Sequence, residues 1–156
     1  KLAPKTEVTV LGKLIVEGTK ETPVVFCPET PDAPWGGITL KGSAASAEAS
    51  WAFVTGSGGN SWWFVANNVP GTHRNEQAAF FLGEGAKGAF ADCFFIDNAG
   101  QAFHGESAQL TLDRCVVQRC QTVGQFNGGS VKIRDSALLD FPSDSDTYED
   151  GDNDAL

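Results

Sequence analysis

Three pentapeptides recur at nearly constant spacing: FLGEG at 81–85, FHGES at 103–107 and FNGGS at 126–130. A period of that length constrains the fold more than any other feature. Each unit must be one supersecondary element that stacks on its neighbours. The register extends downstream without gaps: taking Cys93, Cys115 and Ser136 as equivalent aligns ADCFFID, DRCVVQR and RDSALLD. Phe90, Leu112 and Ile133 then share one column, and Phe95, Val117 and Leu138 another. Upstream, TLKGS (39–43) enters the same frame with Leu40 over Phe81.

Within each unit the apolar runs are short, have a period near two, and are separated by Gly or charged residues; helical periodicity is absent. A strand-only unit of this size cannot bury its own apolar side. Stacked in register about 4.7–4.9 Å apart, such units build a continuous core and satisfy one another's backbone groups. The expected fold is therefore an all-β parallel β-helix with about 22 residues per coil.

The columns carry chemistry consistent with stacking. Phe81, Phe103 and Phe126 are expected to form an internal aromatic ladder. Asp92, Arg114 and Asp135 alternate in sign, as do Asp97, Arg119 and Asp140. Opposite charges on adjacent parallel strands attract, and like charges repel. Near the start, Val8, Val10, Leu14 and Val16 share a parity, and the Pro- and Asp-rich CPETPDAPWGG reads as a turn feeding the strand ITL. Residues 56–76 break the rhythm and read as a loop inserted between two coils. The chain is expected to be a single domain over 1–156, with ends that look like cuts from a larger protein.

The net charge of −9 is concentrated: seven acids and no base lie in residues 140–154. No basic patch exists, so nucleic acid and anionic membrane are poor partners. No apolar run approaches the roughly 20 residues of a membrane span, so no membrane insertion is expected. The four cysteines, Cys27, Cys93, Cys115 and Cys120, include no CxxC pair, which argues against zinc. Cys93 and Cys115 are expected on adjacent coils, where in-register strands orient thiols poorly for a disulfide. Cys120 could reach Cys115 only across a turn. The disulfide state stays open.

GKLIVEGTKETPVVF followed by WGGITL follows the pattern GxLxVxGT…PVxF…WxGIxL, carried by Gly12, Leu14, Gly18, Thr19, Pro23, Phe26, Trp35, Gly37 and Ile38. It resembles the right-handed parallel β-helix segments of bacterial secreted and surface proteins, including large modular proteins that also carry spore-coat-kinase-like domains. The resemblance implies a right-handed helix and an extracellular or cell-surface location. The same fold hosts pectate lyases and polygalacturonases, so fold alone selects no chemistry.

Three groups of residues invite a functional reading. His104 and Glu106 sit outward on one wall with Glu84 one coil away, and Arg114 offers a lyase-like base. They read as weak catalytic candidates, because Ser107 has no activating partner and the Arg columns read as charge pairing. Trp62, Trp63 and Phe64, with His73 and Arg74, lie in a Gly- and Asn-rich setting. Flat aromatic faces with polar neighbours suit sugar rings; alternatively the loop folds back and caps the coil beside Trp35 and Trp51. Asp150, Asp152 and Asp154 alternate as at the start of a calcium loop, with Asp144 and Asp146 as further oxygen donors; Ala155, however, stands where that loop requires Gly.

These readings together favour a non-catalytic extracellular module, structural or carbohydrate-binding, of a bacterial surface protein that stacks end to end into a fibre. Its expected partners are a polysaccharide or cell-surface glycan, neighbouring β-helix domains, or copies of itself. The alternative is a polysaccharide lyase or glycoside hydrolase acting on the outer face.

Overall fold

A computed structural model describes residues 1–61, 63 and 76–141. These residues form thirteen strands and almost no helix. Three strand positions recur. The first is held by β1 (Val8–Val10), β4 (Ile38–Leu40) and β7 (Phe80–Leu82), and the second by β2 (Lys13–Glu17), β5 (Ser46–Ser50) and β8 (Lys87–Ala91). The third is held by β3 (Val24–Phe26), β6 (Ala52–Thr55), β9 (Phe94–Ile96), β11 (Val116–Gln118) and β13 (Ala137–Leu139). Two long strands, β10 (Phe103–Asp113) and β12 (Gly124–Arg134), run through the first and second positions together.

Every ladder between these strands is parallel, and each strand pairs with the strand holding the same position in the next repeat. The result is one eight-stranded and one five-stranded parallel sheet in a nearly closed, barrel-like arrangement. The alternating burial of β8 and the second half of β10 follows directly, since successive side chains point to opposite faces. The inward columns, such as Ala49–Phe90–Leu112 and Val54–Phe95–Val117, fill the interior. Phe80, Phe90, Phe95 and Phe103 meet there, with Phe95 and Phe103 centroids 4.6 Å apart and Phe80 and Phe90 4.8 Å apart.

The downstream register agrees with the sequence columns: Phe90 pairs with Leu112 and Leu112 with Ile133, while Phe95, Val117 and Leu138 form a second continuous column. The upstream register differs. Phe103 pairs with Phe80 and Gly124, not with Phe81 and Phe126, and Leu40 pairs with Leu82 rather than Phe81. A one-residue slip exchanges the two faces of a strand. Phe80 is therefore inward, and Phe81 lies outside the main core in a separate cluster with Trp63 and Ala78. Phe126 pairs with Gly105, whose missing side chain leaves room for its ring: a Cβ on Gly105 would lie 2.3 Å from Phe126 Cδ1.

The slip has a physical origin. The bend between first and second positions spans residues 41–45, then 83–86, and is absorbed into β10 and β12 in the later repeats. There Ser107 (φ 48°) and Gly128 (φ 82°) take up left-handed backbone, and the ladder skips both.

The charged columns sit at bends on either side of the third strand position. Asp92, Arg114 and Asp135 precede it, Asp97, Arg119 and Asp140 follow it, and all six are left-handed, with φ from 50° to 57°. Asp tolerates that conformation better than most residues. Arg114 forks onto Asp92 through Nε and Nη2 at 2.9 and 2.8 Å, and Arg119 forks onto Asp97 in the same way. Asp140 accepts from Gln118 rather than from Arg119, and no ion pair joins Arg114 to Asp135 among the described residues. At the 56–76 insertion an antiparallel bridge between Ser61 and Glu76 brings the chain out and back at one point.

Candidate functional site

His104 is the second residue of β10. Phe103 points inward, so His104 points out, as its parity requires. It is nevertheless fully buried, because the outer face is covered at this point. Trp63, the described aromatic residue of the insertion, packs edge-on against the imidazole with centroids 5.3 Å apart. Phe81 from β7 lies 5.8 Å from the imidazole and 5.4 Å from Trp63, so the three rings form a triangle of mutual contacts. Beyond the sheet there is thus a second, small apolar cluster with a histidine built into it.

Both imidazole nitrogens have partners. Nε2 lies 2.9 Å from Glu106 Oε1, and Nδ1 lies 3.3 Å from Gln101 Oε1. A neutral ring donates from one nitrogen only, and the carboxylate is the stronger acceptor, so Nε2–H donates to Glu106; Nδ1 then accepts, which the Gln101 amide meets with its NH2 group turned toward the ring. Burial holds the His104 pKa below its ordinary value of 6.5, outweighing the opposite pull of the Glu106 hydrogen bond and charge. Glu106, two residues along the same face and part-exposed, also accepts from Asn127 Nδ2 at 2.8 Å. One carboxylate oxygen is thereby fixed from two strands. Its other oxygen has no hydrogen-bond partner among the described residues.

The remaining catalytic candidates lie elsewhere. Glu84 is exposed in the bend after β7 and makes no hydrogen bond or ion pair among the described residues. Arg114 follows the far end of β10, ten residues along the chain from His104 and beyond the bend at Ser107. Its guanidinium is held protonated by Asp92 and Asp113. His104 and Glu106 are together; Glu84 and Arg114 do not join them. Ser107 is an exposed bulge residue.

Trp63 is 2% exposed and turns its ring to His104 and Phe81 rather than to solvent. Trp35 is buried in the main core and donates from Nε1 to the Thr55 carbonyl at 2.8 Å. Trp62, Phe64, His73 and Arg74 lie outside the described residues, as do Asp144, Asp146, Asp150, Asp152 and Asp154. Among the described residues no three His, Cys, Asp or Glu side chains are grouped to hold a metal.

All four cysteines are free thiols, three of them buried. Each buried thiol donates to backbone carbonyls: Cys93 to Ala91 at 3.2 Å, Cys115 to Phe90 at 3.4 Å and Cys120 to Phe95 at 3.4 Å. Burial pushes the Cys120 thiol up from its ordinary pKa.

One feature escapes a reading of the sequence. Across the outer face of β2, β5, β8, β10 and β12 runs a groove of about 370 Å³, floored by Ser50, Ala89 and Ala91 and flanked by Ile15, Glu17, Asp113 and Arg134. Small outward residues in SAEAS and KGAFA leave the space, but only the five-strand register lines them up. Its charges are largely paired: Glu48 with Lys13 at 2.8 Å, and Asp113 with Arg114 and Arg134.

The chain matches no protein-family model, no curated protein and no solved structure.

Proposed function

We propose that the chain is a right-handed parallel β-helix, one turn per sequence repeat, acting as a non-catalytic structural or carbohydrate-binding module of a bacterial surface protein. The coil reading is supported by the steps from Phe90 to Leu112 and from Leu112 to Ile133, each one repeat long, with every ladder parallel. The right hand and the extracellular location draw on the resemblance carried by the segment from Gly12 to Ile38.

The observation that carries the non-catalytic reading is the sealed imidazole. A general acid or base must reach the proton it transfers. His104 has no exposed surface and both nitrogens are engaged, so it positions Glu106 instead of meeting a substrate. The fixed Glu106 carboxylate and Asn127, beside the aromatic insertion, supply the acceptor and donor a sugar hydroxyl needs. Trp62 and Phe64 of the insertion are the residues that would add stacking.

Polysaccharide arrays scored for both capture and cleavage test this reading. The expected result is glycan capture without product release, weakened at least tenfold by Glu106→Gln. Release of oligosaccharides, abolished by Glu106→Gln, would establish the lyase or hydrolase alternative. That reading draws on the second oxygen of Glu106, which has no hydrogen-bond partner among the described residues. Neither capture nor cleavage would leave the structural role alone.

A further inference from the structure

The bends that flank the third strand position hold adjacent repeats together in two ways. Side chains pair Asp92 with Arg114 and Asp97 with Arg119. Backbone amides bridge in the same direction. Trp51 N–H donates to Ala91, Asp92 N–H to Asp113, and Arg114 N–H to Arg134. On the other side Gly56 N–H donates to Asp97, Asp97 N–H to Gln118, and Arg119 N–H to Leu139.

Both series stop at Asp135 and Asp140. Their N–H groups donate to no backbone carbonyl among the described residues, although both residues hold the same left-handed conformation, φ 50° and 53°. Neither carboxylate meets a base within ion-pair distance among the described residues, and only Asp140 receives a hydrogen bond, from Gln118. The apolar columns also end uncovered. Leu112 and Val117 are fully buried, whereas their successors Ile133 and Leu138 are only partly so, and Leu139 is 45% exposed. Among the described residues the edge of β12 and β13 is therefore open in backbone, charge and apolar surface together.

We infer that this edge docks a parallel strand carrying two basic side chains with four residues between them, which stack on Asp135 and Asp140 as Arg114 and Arg119 stack on Asp92 and Asp97. The spacing is that of β11, whose Arg114 and Arg119 flank Val116–Gln118. Charge complementarity selects this occupant over two others. A second copy would bring β3 to β13, and the flanking positions there are Pro23 and Pro28, which carry neither charge nor N–H. Residues 142–156 of the chain contain six acids and no base. The inference rests on the register of β9, β11 and β13 and stands apart from the glycan reading.

A peptide of residues 108–122 with Cys115→Ala and Cys120→Ala is the probe, titrated against the full chain by fluorescence anisotropy. Its acidic counterpart carries Arg114→Glu and Arg119→Glu. Saturable binding of the basic peptide is expected, with the acidic one at least tenfold weaker. The chain variant Asp135→Asn/Asp140→Asn keeps the left-handed bends, since Asn tolerates them, and is expected to lose at least tenfold in affinity. Asp135→Arg/Asp140→Arg is expected to reverse the preference between peptides. Equal affinity for both peptides overturns the inference, as does no binding at millimolar peptide. Affinity unchanged in the Asn variant would assign the attraction to the acidic 140–154 segment and overturn it too. Self-association of the chain that displaces the peptide would make the occupant a second copy, which also overturns it.

Discussion

The two halves of β10 share one strand and one neighbour, β12, yet their outer faces differ. Over Phe103–Gly105 both faces are buried, and the outer one holds a histidine under Trp63 and Phe81. Over Gln109–Asp113 the inner face is buried and the outer one forms the floor and flank of an open groove. Each half lies between two parallel strands, β7 and β12 for the first and β8 and β12 for the second; what sets the outer faces apart is a segment arriving from elsewhere. A covered outer face must satisfy its polar groups internally, and His104 does so through Gln101 and Glu106. An open one leaves charges to water and to exposed ion pairs.

The inner face common to both halves is the place to break the molecule most severely. Phe103 is fully buried and touches Phe80, Phe90 and Phe95. Phe103→Ala should cost about 3–5 kcal/mol in chemical denaturation. A loss below about 1 kcal/mol would mean that the aromatic cluster is not the core.

The outer faces can then be compared directly. Phe81→Ala beneath the cover should cost about 2–3 kcal/mol, because it opens a cavity beside Trp63 and His104. Ile15→Ala on the groove side removes a residue that is 55% exposed and should stay within about 0.5 kcal/mol. Equal losses at the two positions would erase the distinction between the halves.

How much of this could be read in the residues follows from the same contrast. The register around Cys93, Cys115 and Ser136 was legible because the third strand position keeps its length and is bracketed by charges that alternate in sign. The FxGxx frame misled, because consecutive aromatic residues at 80 and 81 offer two registers, and the bend that chooses between them shortens from repeat to repeat. The outward parity of His104 was likewise legible, but its burial was not. The cover comes from Trp63, outside the repeat, and no periodicity reports it. The groove depends on small residues from five strands lying side by side, information that exists only after the register is set.

The covered histidine also makes stability depend on pH. Its folded pKa is below the 6.5 of the unfolded chain, so between the two values the unfolded state binds the extra proton. Its contribution is complete above about pH 6.5, declines as pH falls from there, and levels off below the folded value. The slope can reach at most about 1.4 kcal/mol per pH unit. Urea midpoints of the wild type and His104→Gln, compared from neutral pH down to about pH 5, isolate this term from the other carboxylates and from His73. An identical pH slope in the two proteins would mean that His104 is not desolvated by Trp63.

The smallest effect is expected on the exposed side of the comparison, at the bends. Arg114 and Asp92 form a forked pair at 2.8–2.9 Å, yet both side chains reach solvent. Exposed pairs are screened and entropically costly to hold, so the geometry alone does not predict a large contribution. A double-mutant cycle with Asp92→Asn and Arg114→Gln should give a coupling smaller than any effect above. Asn can keep the left-handed bend at 92, so the cycle reads charge rather than backbone strain. Raising the salt to about 1 M, where the Debye length is about 3 Å, should remove most of that coupling. A coupling that survives salt would instead place the pair in a desolvated site. The alternating column would then contribute to holding the repeats together, in addition to setting which charges can lie side by side.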